Sequence, residues 1–329
     1  MKVASIIGAR PQCSGRSGEQ PPITSRTLFR NSLLNLIGQV VPLLVGVAAV
    51  PFIVRGLGPE RFGLLSIAWV VLGYSAVLDL GISRASTKLV AEALAKGDKE
   101  SVGSIVATAV VAQGILGAAG GLAFVLAAPS IVGVWLKVPA SIAPEATEAF
   151  RFLGLAVPLL MVSGSLSGAL QGAQRFDLVN AIQVPAAVGV YLAALFGAWL
   201  GFGLFGIIVL IVGVRGVALV GFLVVYTRCL AGFRPFPASM FRALLSFGGW
   251  VSVSNVVGPI LVYADRVLLG SLVSAAAVGY YAAPYEVVTR ALWVLPTAIS
   301  TTLFPGFSAW TASGDRRTLS RTYLFSVSG

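Results

Sequence analysis

Long apolar runs separated by short polar segments dominate the chain. Each run is about 20 residues or longer, which is the length at which an α-helix crosses a bilayer. The runs are continuously apolar and do not alternate as the strands of a membrane barrel do. The pattern predicts eight spanning helices and the start of a ninth. They are expected at 28–54, 62–82, 103–128, 150–170, 179–200, 204–226, 244–269 and 278–303, with the ninth beginning near Tyr323.

The composition agrees with this pattern. The chain is 57% hydrophobic and only 11% charged, and its mean hydropathy is +0.91. A soluble domain is about a quarter charged, so lipid is expected to be the main solvent. The absence of histidine excludes histidine general bases and histidine metal ligands. We therefore expect an all-α multi-pass membrane protein that is not an enzyme and has no cofactor or metal site.

The basic residues predict the orientation. The net charge is +11, but most Lys and Arg residues lie in short loops, which is typical of membrane topology rather than of nucleic-acid binding. With a cytoplasmic N-terminus, 16 basic residues fall on the cytoplasmic side. Four fall outside: Arg55, Arg61, Lys137 and Arg151. We expect a cytoplasmic N-terminus and no nucleic-acid partner.

An internal repeat appears at a shift of about 216 residues. Three features coincide: Pro42 with Pro259, Gly63 with Gly279, and Gly97-Asp98-Lys99 with Gly314-Asp315-Arg316. An even number of helices in each repeat predicts two lobes related by an axis along the membrane normal.

This repeat divides the chain into three parts. Residues 1–25 form a tail that does not span the membrane, and 26–228 form a complete first lobe of six helices. Residues 229–329 form an incomplete second lobe with helices seven, eight and the start of nine. We therefore expect a C-terminally truncated chain with about eight to nine spanning helices.

Two arginines lie midway along predicted helices. A central Arg costs about 3 kcal/mol on insertion scales, so it is rare unless it has a partner or a function. Arg215 has no acid within one helical turn; it is either a phosphate contact facing a cavity or the partner of an acid on another helix. Arg290 follows Glu286 by four residues on one helix face. That pair either neutralises itself or opens for substrate or a coupling ion.

Four further residues have both a functional and a structural interpretation. Asp79 and Arg84 flank the inner end of helix two. They are either substrate contacts or interface anchors and helix caps. Pro42 and Pro259 each remove a helix hydrogen bond. They are either paired hinges for alternating access or inherited packing kinks.

Several motifs in order resemble a known family. They are Arg55-Gly-Leu-Gly-Pro-Glu-Arg-Phe-Gly-Leu64, Asp79-Leu-Gly-Ile-Ser-Arg-Ala85, Gly168-Ala-Leu-Gln-Gly-Ala-Gln-Arg-Phe-Asp177, and Asp265-Arg-Val-Leu-Leu-Gly270 followed by Val278-Gly-Tyr-Tyr281. From about residue 26 the chain resembles the polysaccharide and oligosaccharide flippases, which belong to the MOP superfamily of MATE-type exporters.

The resemblance implies a fold and a function. The fold would be MATE-like, with two six-helix lobes facing a central cavity. The function would be translocation of an undecaprenyl-pyrophosphate-linked oligosaccharide across the inner (cytoplasmic) membrane of a bacterium. The implied partners are the lipid-linked oligosaccharide, the bilayer, H⁺ or Na⁺ as a coupling ion, and the polysaccharide polymerase machinery.

Three alternatives stay open. A MATE-type antiporter of small organic cations would need acids in its cavity, whereas the predicted mid-membrane charges are two Arg and one Glu. A membrane polymerase or glycosyltransferase would need a substantial extramembrane loop with catalytic groups. A truncated remnant would have no transport activity.

Overall fold

The computed structural model describes residues 25–136 and 138–230, together with residues 300, 304, 307 and 311. All regular structure in the two long ranges is helical, which confirms the all-α prediction. Predicted helices seven to nine and the tail lie outside the described residues, apart from Ser25 and those few positions. The proposed lobe boundaries therefore stay predictions.

In the two long described ranges, eight α-helices follow one another with short connections. They are α1 Ser25–Leu57, α2 Pro59–Leu78, α3 Ile82–Ala95, α4 Lys99–Ser130, α5 Ala143–Leu153, α6 Ala156–Gly172, α7 Phe176–Trp199 and α8 Leu204–Cys229. A π-helical turn, Ile131–Trp135, extends α4. Asp98 is the N-cap of α4, and its carboxylate accepts hydrogen bonds from Ser101 N at 3.0 Å and Ser101 Oγ at 2.6 Å.

Five segments in the described ranges are long and apolar enough to cross a membrane. They are Leu33–Leu57, Lys99–Val134, Ala143–Gly172, Phe176–Trp199 and Leu204–Cys229. They coincide with predicted helices one, three, four, five and six, so the protein is a multi-pass membrane protein. Helix α2 matches the predicted second helix but is not among the five, so its crossing stays a prediction.

The closest helix contacts depend on glycine. Gly164, Gly168 and Gly172 recur every four residues on α6, which places them on one face. A Cβ atom at Gly168 would lie 2.6 Å from the carbonyl oxygen of Ser83, and one at Gly172 would lie 2.6 Å from that of Thr87. Small residues let helix backbones approach where lipid gives no hydrophobic reason to associate. Helix α3 is therefore held directly against α6.

Helices α1 and α7 run parallel and also pack closely through glycines. A Cβ atom at Gly46 would lie 2.9 Å from the Tyr191 ring, and one at Gly56 would lie 3.0 Å from the Ala198 side chain. Gly38 meets Asn180 in the same way nearer the start of both helices. Both helices also contain prolines: Pro42 and Pro51 in α1, and Pro185 in α7.

Amide side chains join the beginnings of these two helices. Asn31 Nδ2 donates to Gln174 Oε1 at 3.1 Å, and Asn180 Nδ2 donates to Asn35 Oδ1 at 3.0 Å. Asn31 is fully buried. Hydrogen bonds between polar side chains connect helices where the surroundings are apolar, so α1 is fixed to α7 at this end.

Glu145 joins three elements at the opposite end of the bundle. Its carboxylate accepts from Arg61 Nε at 3.1 Å and from Arg61 Nη2 at 3.0 Å. It also accepts from the backbone N–H of Leu204, the first residue of α8. The first N–H groups of a helix have no partner inside that helix. One carboxylate therefore both pairs with α2 and caps α8.

Candidate functional site

The helical conformation is interrupted between α2 and α3, and this interruption directs polar side chains into the bundle. The sequence pattern predicted a helix through residue 82, but α2 ends at Leu78. Leu80 and Gly81 then adopt positive φ angles of 48° and 68°, which no α-helix accommodates. The chain restarts as α3 at Ile82 in a new direction.

Asp79 stabilises this break. Its carboxylate accepts from Ser83 N at 3.2 Å and from Ser83 Oγ at 2.6 Å. From α4, the fully buried Gln113 donates to the Asp79 carboxylate and, at 3.2 Å, to its carbonyl oxygen. Asp79 therefore satisfies a free N–H in the first turn of α3 and connects that turn to α4.

A cavity of about 300 Å³ opens beside the start of α3. Its walls come from four helices, α3, α6, α7 and α8. The polar residues that line it are Ser83, Arg84, Thr87, Ser163, Ser167, Gln171, Gln183 and Arg215. The remaining lining residues are glycine or apolar: Leu160, Gly164, Gly168, Ala186, Ala218 and Phe222.

Arg215 enters the cavity from the middle of α8. Its Nε atom is buried, and no described residue forms a hydrogen bond with it. It forms no ion pair with any acid in the described ranges. A buried donor without a partner carries an unfavourable desolvation free energy. The sequence predicted either a cavity-facing cation or a structural ion pair, and only the first arrangement is present among the described residues.

Arg84 reaches the same cavity from the first turn of α3. Its side chain is exposed and, like Arg215, it has no ion-pair partner among the described residues. Two cations that were 131 positions apart in the sequence therefore line one space. The described walls of the cavity include no Asp or Glu. The arrangement suits an anionic ligand, since one guanidinium group can donate two parallel hydrogen bonds to the oxygens of a phosphate.

The other predicted site residues lie elsewhere. Asp79 is not among the lining residues; its oxygens are directed to Ser83 and Gln113, and its role as a substrate contact stays a prediction. Pro42 lies inside α1, and its role as a hinge stays a prediction. Arg290, Glu286 and Pro259 fall outside the described residues.

The sequence analysis missed the uncharged polar lining. Ser163, Ser167 and Gln171 lie on α6, and Gln183 lies on α7. Gln171 Nε2 donates to Ser167 Oγ at 3.0 Å. A weak signal existed, because two serines and a glutamine recur at spacings of four along an apolar helix. That spacing places them on one face, but it does not say which face meets a cavity.

Comparison with known proteins identifies the family. The sequence profile described as "Polysaccharide biosynthesis protein" matches residues 28–310. The chain belongs to that family. The protein named "Putative O-antigen transporter" from Shigella flexneri is 28% identical over 294 residues, which covers 86% of this chain and 67% of that protein. This relative and the family profile confirm the resemblance to polysaccharide flippases. The relative itself is named as a transporter, not as an enzyme.

Solved structures with the same fold belong to the MATE and MOP transporters. A MOP superfamily transporter from Pyrococcus furiosus superposes with a TM-score of 0.79, covering 92% of this chain and 68% of that one. A MATE transporter in complex with MaD3S gives 0.80, with coverage of 92% and 69%. Both are 17% identical to this chain, so they establish the fold alone. The polysaccharide biosynthesis protein has a MATE-like fold, as predicted.

Proposed function

We propose that the protein translocates an undecaprenyl-pyrophosphate-linked oligosaccharide across the bacterial cytoplasmic membrane for surface polysaccharide assembly. The family and the Shigella relative support a membrane transporter of polysaccharide biosynthesis. A cargo of this kind carries a negatively charged pyrophosphate through the membrane between a sugar chain and a lipid tail. The protein must offer that charge a temporary counter-charge.

The observation that carries the proposal is a cationic cavity whose described walls hold no acid. Arg84 and Arg215 line it, together with hydroxyl and amide groups. We propose both arginines as phosphate contacts. A MATE-type antiporter of organic cations would need the opposite sign of charge, so the same observation disfavours that alternative.

Parts of the proposal concern residues beyond the cavity. We propose that Arg290 and Glu286 supply further substrate contacts from the second lobe, and that Glu286 couples transport to H⁺ or Na⁺. Pro42 and Pro259 would then act as hinges in the two lobes. The excess of Lys and Arg on one side supports a cytoplasmic N-terminus. Polymerase machinery on the outer side would receive the cargo.

The experiment is complementation of a bacterial strain that lacks its own flippase. The readout is surface polysaccharide, with protein abundance measured in the same membranes. Arg215→Ala should lower surface glycan by about tenfold or more, because a hydrogen bond to a charged group contributes roughly 1.5–3 kcal/mol. Arg215→Lys should retain part of the activity, since lysine keeps the charge but loses the paired geometry.

Arg228→Ala is the matched control. Arg228 lies in the last turn of the same helix, is exposed and is not among the cavity residues, so its removal should leave surface glycan unchanged. Wild-type glycan levels in the Arg215→Ala strain would remove Arg215 from the mechanism. Failure of the unmutated chain to restore any glycan would favour the remnant interpretation.

A further inference from the structure

Three hydroxyl groups on one wall of the cavity already use their protons inside the protein. Ser83 Oγ donates to the Asp79 carboxylate at 2.6 Å. Thr87 Oγ1 donates to the Ser83 carbonyl oxygen at 3.0 Å, and Ser163 Oγ donates to the Leu159 carbonyl oxygen at 2.6 Å. A hydroxyl has one proton and two lone pairs. Each of these groups therefore meets a bound molecule as a hydrogen-bond acceptor.

The two cavity arginines have the opposite character. A guanidinium donates hydrogen bonds and cannot accept them. A phosphate oxygen without a proton can only accept, so it matches Arg84 and Arg215 and has nothing to offer the three hydroxyls. A sugar hydroxyl can donate to them. One cavity thus contains groups for two chemically different parts of a ligand.

We infer that the cavity contains a separate subsite for a sugar ring, formed by the acceptor oxygens of Ser83, Thr87 and Ser163. This inference rests on the proposed function for the class of cargo and adds a second recognition element beside the phosphate contacts. The three residues, which we call the acceptor wall, lie where α3 and α6 pack closely through Gly164 and Gly168. This close packing fixes the position of the wall relative to the backbone of Arg84, which lies in the first turn of α3.

Asp79 acts on this subsite as a positioning residue. Its carboxylate accepts the hydrogen bond that the Ser83 hydroxyl donates, so the Ser83 lone pairs are left for the cavity. Gln113 donates to the same carboxylate and holds it in place. Removal of the Asp79 acceptor would free the Ser83 hydroxyl to rotate and donate, which would weaken its match to a sugar hydroxyl.

The test uses the full chain, purified in detergent, and two soluble probes. Glucose 1-phosphate carries a sugar and a phosphate; methyl phosphate carries the phosphate alone. Dissociation constants for both are measured by ligand-observed NMR. The sugar preference is the dissociation constant of methyl phosphate divided by that of glucose 1-phosphate. The unmutated protein should bind both probes and prefer glucose 1-phosphate.

Variants of the acceptor wall should lower only this preference. Thr87→Val and Ser163→Ala should each reduce it about fivefold, the typical effect of one net hydrogen bond, with methyl phosphate binding unchanged. Asp79→Ala should also reduce it, and Asp79→Asn should restore it because the amide oxygen still accepts from Ser83. Arg215→Ala should weaken both probes and keep the preference.

Matched controls exist on the same two helices. Ser86 on α3 and Ser165 on α6 are fully buried and do not line the cavity, and their hydroxyls have no hydrogen-bond partner in the part of the chain that the structure describes. Ser86→Ala and Ser165→Ala should leave the sugar preference unchanged. Their thermal midpoints also provide the reference for the folding of the acceptor-wall variants.

The outcomes separate the two proposals. Equal binding of both probes by the unmutated protein would overturn the acceptor wall and leave the phosphate contacts in place. An unchanged preference in Thr87→Val and Ser163→Ala would have the same meaning, as would equal losses for both probes. Binding of neither probe, or no effect of Arg215→Ala on methyl phosphate, would contradict the proposed function itself.

Discussion

Replacement of Gly168 by alanine should separate α3 from α6. A Cβ atom at this position would lie 2.6 Å from the Ser83 carbonyl oxygen and 2.9 Å from Thr87 Oγ1. The carbonyl oxygen belongs to the backbone, so it cannot move aside as the end of a flexible side chain can. Relief of the clash requires a shift of α3 itself by several tenths of an ångström.

The free-energy cost is best measured against a second glycine. Crowding one extra carbon into a packed helix contact typically costs about 1–3 kcal/mol. Alanine also gains about 1 kcal/mol over glycine in helix propensity. Gly114 lies inside α4, and a Cβ atom there would meet only Val162 at 4.0 Å. Gly114→Ala therefore receives the same propensity gain without the clash, and Gly168→Ala should be less stable than Gly114→Ala by about 1–3 kcal/mol.

Denaturant unfolding in detergent micelles, followed by tryptophan fluorescence, measures this difference. Probe binding should fall in parallel, because the displaced helix carries Ser83, Arg84 and Thr87 away from α8. If Gly168→Ala were as stable as Gly114→Ala, the close contact between α3 and α6 would be absent. If it were destabilised without any loss of methyl phosphate binding, Arg84 would not depend on that contact for its position.

Two more predictions concern the ends of the helices. Glu145→Gln should lower the free energy of unfolding by only about 0.5 kcal/mol, because the Arg61 side chain is 41% exposed and exposed ion pairs are weak. Glu145→Ala should lower it by about 1–2 kcal/mol, since this change also removes the cap of α8. Equal losses in the two variants would contradict these separate roles of the ion pair and the cap. The hydrogen bonds from Ser101 lower the pKa of Asp98 below its usual 3.8. The extra stability that the ionised carboxylate gives the cap is therefore complete above pH 3.8 and is lost as the pH falls through the lowered value. Asp98→Ala should lower the thermal midpoint at pH 7 more than Asp98→Asn, because asparagine still caps the helix but lacks the charge. A similar loss in both variants would show that the charge and not the cap is responsible.

The spanning helices could be predicted from the sequence because their signal is long and additive. Twenty or so consecutive apolar residues leave few alternatives to a membrane helix, and α7 and α8 begin within three residues of their predicted starts. The end of α2 could not be predicted in the same way. No proline marks it. Leu80 has a positive φ angle, and the preceding Asp79 accepts hydrogen bonds from Gln113, a residue 34 positions away.

The candidate site was partly predictable for a related reason. A lone arginine in an apolar helix is conspicuous at once, so Arg215 could be singled out without any knowledge of its neighbours. Serine and threonine are common in membrane helices, and whether they face a cavity depends on the rotation of the helix. Ser163 is a candidate only because α6 turns that face towards the cavity. Its proton direction depends further on one backbone carbonyl, which no sequence pattern encodes.

The contacts between α1 and α7 have a consequence for motion. Pro42 lies between Gly38 and Gly46 along α1, and Pro185 lies between their contact residues Asn180 and Tyr191 along α7. Both helices thus lack a backbone hydrogen bond at the same depth. A bend in α1 alone would move these glycines away from their contact residues on α7, whereas a bend shared at both prolines would preserve the contacts. We therefore predict that α1 and α7 bend together, as one unit.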